Sequence, residues 1–407
     1  MGEKLMAKQS SAKWTIKYTV LNVAYFMAFC TIHAYAAVYL LAHGFTNTQV
    51  GVLLALSNII SAVLQPVIAS IIDSPKKLSN RAFILISVII ILTGSVILLL
   101  VPGNKVIIFI VYASIYMIQF TYQPVMTALC FEYQKAGCDI FYGLARGLGS
   151  ASFAVTSIFI GRLVEKNGVM ILLWVNIIAM LLSVIMIIFF KKPAVAETEN
   201  KEEIKKAEPR QTGFASFVRT YPAFILFLFG TICFFFAHNM INDFMIQIIR
   251  NLGGTEKELG FANFLQAILE LPVMALIGII LKKISADKLL IISGIAFFVK
   301  ILILVFAKNM PVMYLSQSFQ LFAYAVFIPA GAYYVSKTME DVDQVKGQAF
   351  ITSAITIGAV FSNFISGVIL DHSNIRTMLL TGSAVCAVGV ILTFIAMTRL
   401  PHNRNVK

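Results

Sequence analysis

Apolar runs longer than a soluble helix can bury recur along the whole chain, each closed by a short polar stretch. A helix crosses the hydrocarbon of a bilayer with about 20 apolar residues, so stretches free of Asp, Glu, Lys and Arg mark the spans. Residues 18–72 form one such stretch, divided into two helices by the turn-like HGFTNTQ at 43–49. Further runs cover 82–104, 106–131, 147–161, 167–190, 220–242, 309–336, 347–370 and 377–398. Two more, 259–281 and 289–307, are each interrupted by one charge, Glu270 and Lys300. The pattern predicts an all-α integral membrane protein with twelve transmembrane helices. Lys4, Lys8, Lys13 and Lys17 ahead of the first run, with AYA inside it, imitate a signal peptide. The run is too long for one, and it reads as an uncleaved first helix.

Composition agrees with this reading. At 59% hydrophobic and 13% charged, with a mean hydropathy of +0.86, the chain has too few charged residues to cover the surface of soluble cores. A net charge of +13 would point a soluble protein toward nucleic acid, but here the basic residues fall in the loops. With the N-terminus inside, 24 of the 32 Lys and Arg lie on the cytoplasmic side and 7 opposite, which predicts a multi-pass protein of the cell membrane with both termini cytoplasmic. Cys30, Cys130, Cys138, Cys233 and Cys386 lack paired or metal-type spacing and read as small buried hydrophobes. HExxH, Walker and GxSxG patterns are missing, so nothing in the sequence argues for an enzyme.

The charged stretch KKPAVAETENKEEIKKAEPRQTGFAS divides the chain into a six-helix bundle at 1–190, a cytoplasmic linker at 191–217 and a second six-helix bundle at 218–407. The halves echo each other. Gly51, Ala69 and Asp73 recur as Gly260, Gly278 and Lys282, and YGLAR at 142–146 has a weaker counterpart in KGQAF at 346–350. Duplication of this kind points to a transporter with its site near the midplane.

Polar groups inside the spans are the candidates for that site, because an ionisable residue there costs about 2.5–3.5 kcal/mol on insertion scales. Glu270 and Lys300 each lie twelve residues from the short loop at 282–288, about 18 Å deep on adjacent antiparallel helices. They are placed to pair, with Glu270 as proton carrier and Lys300 shifting its affinity, or as a static ion pair. His33 and Tyr35 on helix one, Gln119, Tyr122 and Gln123 on helix four, Asn239 on helix seven, Gln266 on helix eight, and Gln320 and Tyr324 on helix ten add amides and rings suited to a polyhydroxylated or heterocyclic ligand. Asp243, in HNMIND, lies toward the outer end of helix seven, as a solvated helix end or a substrate contact. In YGLARGLGS, Gly143, Gly147 and Ser150 form a small-residue face for close helix approach. Arg146, Gly149 and Phe153 form a neighbouring stripe in which a guanidinium can meet hydroxyls or a carboxylate.

Twelve spans, the 6+6 repeat, QPVIASIID at 65–73 and YGLARGLGS together resemble the major facilitator superfamily, in its lactose-permease-like branch that includes phenylpropionate- and nucleoside-permease-like members. The resemblance implies two pseudo-symmetric bundles, a gating role for Asp73, substrate binding by Arg146 with Phe153 at the accompanying aromatic position and Tyr35 on the cavity wall, and proton coupling through Glu270 and Lys300. Thr127 and Ala128 stand where the branch has an acidic partner of the Arg, and Gln320 and Ala323 where it has a helix-ten His and Glu. The expected function is proton-coupled import of a small polar solute, with sugars or oligosaccharides favoured. The alternatives are a nucleoside or aromatic-acid permease, an exporter of drugs or metabolites, and a non-transporting sensor. The expected partners are substrate, proton and membrane lipid, without nucleic acid or cofactor, and the protein is expected to work as a monomer.

Overall fold

Short polar side chains start helices at the edges of the hydrophobic runs. Ser79 accepts from the Ala82 amide, Asn104 from the amides of Val106 and Ile107, and Asn309 from that of Val312. The computed structural model describes residues 2–73, 78–191 and 214–398, with side chains over 12–72, 78–191 and 216–398 apart from position 274. In chain order the helices are α1 (Gly2–Phe29), α2 (Ala36–Ala42), α3 (Asn47–Asp73), α4 (Asn80–Leu100), α5 (Lys105–Lys135), α6 (Tyr142–Asn167), α7 (Ile171–Phe189) and α8 (Phe214–Thr220). They continue with α9 (Pro222–Asp243), α10 (Met245–Asn251), α11 (Glu256–Lys283), α12 (Ala286–Val305), α13 (Met310–Ser318), α14 (Tyr324–Thr338), α15 (Asp341–His372) and α16 (Ile375–Thr398). No strand occurs among the described residues. Among the described residues eleven spans are long and apolar enough to cross a membrane, and a twelfth is counted if Glu256–Val273 and Ala275–Lys283 form one bent span.

Backbone contacts divide the chain into two units, Met1–Phe45 with Leu56–Glu203, and Thr46–Ala55 with Ile204–Lys407. In the first unit α1 packs on α6 and α7, and α4 on α5 and α7; in the second α9 packs on α15 and α16, and α12 on α14 and α16. The repeat extends to single residues. A Cβ on Gly149 would lie 2.7 Å from Phe26 of α1, and one on Gly358 would lie 3.0 Å from Cβ of Phe235 and 2.6 Å from the Ile232 carbonyl of α9. These two crossings stand in the same register as Gly51 with Gly260. The pairing of YGLAR with KGQAF is therefore displaced: Gly149 and Gly358 are the equivalent glycines of the fifth helices. Gly143 and Gly147, expected to be a helix contact, would meet nothing within 4 Å among the described residues, so the close approach belongs to Gly149.

Matching helix breaks follow. A π-helical turn at Cys30–Ala34 ends at Tyr35 (φ −114°, ψ 15°), and α9 ends at Phe244 (φ −114°, ψ 24°); each is followed by a seven-residue helix. Gly44 (φ 75°) and Gly253 (φ 80°) then take the left-handed conformation that favours glycine. Next come reciprocal caps, Thr46 with Gln49 and Thr255 with Glu258.

Polarity within the first unit is inverted relative to a soluble core. On α4, Ile86, Ile89 and Ile90 are exposed while Ser87 and Ser95 are buried. Gln119 Nε2 donates to Asn176 Oδ1 (3.3 Å), and Asn176 Nδ2 to Ser95 Oγ (2.7 Å), joining α5, α7 and α4 through groups that lipid could not satisfy. All five cysteines are free thiols. Most of the expected linker, 191–217, lies outside the described residues, and its last positions begin α8. Asp73 ends α3, and its side chain also lies outside them.

Candidate functional site

In the first unit, His33 lies in the π-helical turn, a helix irregularity frequent at functional sites. Its ring stacks on Phe29 (centroids 3.9 Å apart, 12° between planes) and lies 3.8 Å from Tyr116 and 4.5 Å from Phe120. Neither ring nitrogen has a hydrogen-bond partner among the described residues. The aromatic surface continues from Phe29 to Phe26 (6.3 Å) and Phe153 (6.4 Å). Arg146 covers Phe26 at 4.4 Å and donates from Nη1 to Ser150 Oγ at 2.8 Å. Ser150 is eight residues past the start of α6, so the guanidinium is held about 12 Å along the helix, deeper than its own Cα. A planar cation fixed by one ring face and one hydroxyl keeps further N–H groups for a ligand's hydroxyls or carboxylate.

Not every amide and ring expected in this unit faces outward. Tyr35 is fully buried and donates to the Ser157 carbonyl at 3.1 Å. Gln119 is fully buried in its bond to Asn176, and Tyr122 packs edge-on against Tyr25 at 5.1 Å. His33, Gln123, Arg146 and Phe153 are half-buried.

In the second unit, Lys300 is fully buried and donates to Gln320 Oε1 at 2.7 Å; Gln320 Nε2 in turn donates to Glu270 Oε1 at 2.8 Å. The groups expected to pair across α11 and α12 are thus joined through an amide from helix ten. Gln320 reaches that position because helix ten is interrupted: α13 passes through a 3₁₀ turn at Phe319–Leu321 before α14 begins. Ser293 Oγ donates to the Ala323 carbonyl (2.7 Å) beside the break, and Ser316 Oγ to the Lys300 carbonyl (2.7 Å). Gln266 Nε2 bonds Gln317 Oε1 at 2.9 Å, and Tyr324 stacks on His238 at 5.3 Å. Asn239 is turned onto the Phe235 carbonyl (2.7 Å), while Asn242 bonds His238 Nε2 (2.9 Å). Gln320, expected among the substrate ligands, takes this bridging position without a signal in the sequence, since no Gly or Pro marks the break between 316 and 326. Among the described residues no group of three His, Cys, Asp or Glu side chains could hold a metal ion.

A model of the MFS_1 like family matches residues 15–401. The uncharacterized transporter YwbF of Bacillus subtilis (strain 168) is 23% identical over 357 residues, 86% of this chain and 85% of its own. A crystal structure of the nucleoside transporter NupG is similar with a TM-score of 0.76 at 15% identity, covering 95% of this chain and 100% of that one. A bacterial homolog of the human lysosomal transporter Spinster, inward-facing and unoccupied, follows with a TM-score of 0.69 at 12% identity over 95% and 97% of the two chains. With its helical repeat and the match spanning nearly its whole length, the chain belongs to the MFS_1 like family and is a multi-pass membrane transporter of the major facilitator type.

Proposed function

We propose that this transporter is a proton-coupled importer of a small polar solute, a sugar or oligosaccharide in the first reading, working by alternating access with both termini in the cytoplasm. The observation that carries the coupling is the Lys300–Gln320–Glu270 chain, an ammonium and a carboxylate held by one amide inside membrane-length helices. Protonation of Glu270 removes the charge that accepts from Gln320 and so weakens the whole chain, which links proton occupancy to the packing of α11, α12 and the broken helix ten. Arg146, His33, Phe153 and Gln123 in the first unit and Asn239, Gln266 and Tyr324 in the second are assigned to substrate, and Asp73 to gating. Tyr35, Gln119 and Tyr122 support the wall behind the first group.

A second reading, a nucleoside, is favoured by the ring surface of Phe29, His33, Tyr116 and Phe120, which suits a flat heterocycle, and by the similarity to NupG. A thermal-shift panel of sugars, nucleosides and aromatic acids on purified protein, followed by uptake into proteoliposomes with and without an inward proton gradient, tests both. Stabilisation by a sugar with gradient-dependent uptake supports the first reading, and stabilisation by nucleosides alone replaces it with the second. Uptake indifferent to the proton gradient overturns the coupling.

A further inference from the structure

Buried polar side chains nearly always find a partner, so a group of them without one marks a place where something else is bound. Such a group lies in the second unit, around the end of α9. Asn363 on α15 is fully buried, and neither of its amide atoms has a hydrogen-bond partner among the described residues; Ser362 and Ser366 beside it are fully buried, and their hydroxyls likewise lack one among those residues. The buried Thr48 Oγ1, Asn242 Oδ1 and Gln247 Oε1 are likewise without partners among the described residues. Asp243, the last residue of α9 and half-buried, turns its carboxyl toward the Asn363 side chain. The first turns of α3 press directly on this part of α15. A Cβ on Gly51 would lie 2.1 Å from the Asn363 carbonyl, and one on Gly367 would lie 2.4 Å from that of Asn47. Gln247 Nε2 holds Asn47 Oδ1 at 2.9 Å, which leaves its Oε1 over.

We propose that Asp243 and Asn363 form the core of a sodium-ion site, with neutral oxygens of the neighbouring Ser, Thr and amide side chains completing its shell. One carboxylate among uncharged oxygens matches a hard monovalent cation in charge and ligand type; a divalent ion or transition metal would call for more carboxylates or for nitrogen and sulfur. Asp371, the other acid of this region, does not compete: its two oxygens accept from the Asn47 amide and side chain and from the Thr48 amide. His238, one turn before Asn242, is engaged through Nε2. The break at Phe244 places the carboxylate at a helix end, whose free carbonyls also favour a cation.

The test is thermal unfolding of the full-length protein in detergent, titrated with sodium chloride and, at equal ionic strength, with potassium and choline chloride, without substrate. Sodium should raise the melting temperature by about 3 °C or more in a saturable manner while the other salts do not. Asp243→Asn and, separately, Ser366→Ala should abolish or weaken that response, and Asp371→Asn should retain it. Equal responses to all three salts in the wild type would overturn the site whether or not any variant folds. An undiminished sodium response in Asp243→Asn would overturn it as well. Because neither substrate nor a proton gradient is involved, the outcome is independent of the transport reading.

Discussion

Lys300 reaches Glu270 through the single side chain of Gln320, whose amide accepts from the ammonium at 2.7 Å and donates to the carboxylate at 2.8 Å. An amide has one end of each kind, so it serves a cation and an anion at once. Gln320→Leu keeps roughly the volume and removes both bonds. A hydrogen bond to a charged group contributes about 1.5–3 kcal/mol, so the variant should melt lower and lose gradient-driven accumulation. Gln320→Glu should also lose it, because a second acid beside Glu270 changes proton affinity. Melting curves and uptake with an imposed pH gradient check both.

The glycine pattern makes a graded prediction. Gly358→Ala drives a Cβ to 2.6 Å from the backbone carbonyl of Ile232, whereas Gly149→Ala meets the Phe26 ring, which can shift. Overpacking of this kind costs about 1–3 kcal/mol, with Gly358 at the upper end and Gly149 at the lower. Gly143→Ala and Gly147→Ala should be neutral or slightly stabilising, since no described atom lies within 4 Å. Thermal unfolding of the four variants ranks them.

Asp371 caps the first turn of α3 with both carboxylate oxygens. Asp371→Ala leaves those donors to water and should destabilise the protein by about 1 kcal/mol, seen as a modest fall in melting temperature. Asp371→Asn keeps an acceptor and should lie between the two.

Arg146→Lys preserves charge but loses the planar fork that lies on Phe26 and reaches Ser150. Substrate affinity should fall by about tenfold or more while the melting temperature without ligand changes little, because the group is half-buried. Isothermal titration with the best ligand from the screen measures it; unchanged affinity would remove Arg146 from the binding residues.

How much of this was legible from sequence depends on range. Span positions follow from local hydropathy, and even the equal depths of Glu270 and Lys300 follow from counting along two helices. The charge-free runs close at 131 and 161, short of the helix ends, because Glu132, Arg162, Glu165 and Lys166 carry long charged side chains that remain on a helix as it reaches the interface. The interruptions at Cys30–Ala34 and Phe319–Leu321 carry no Gly or Pro and arise from tertiary packing, so hydropathy could not place them. For the same reason Tyr35 and Gln119, polar and correctly spaced, read as ligands in the sequence, while their partners, the Ser157 carbonyl and Asn176, lie on helices distant in sequence. The spacing of Gly143, Gly147 and Gly149 alone did not reveal which glycine meets α1, which depends on the crossing with Phe26.

The central claim, that Glu270 carries the transported proton, is tested most directly by comparing uphill accumulation with equilibrium exchange in proteoliposomes of wild type and Glu270→Gln. The account predicts that the variant loses accumulation driven by an inward proton gradient while exchange of labelled for unlabelled substrate continues at a comparable rate. Undiminished uphill accumulation in Glu270→Gln would contradict it.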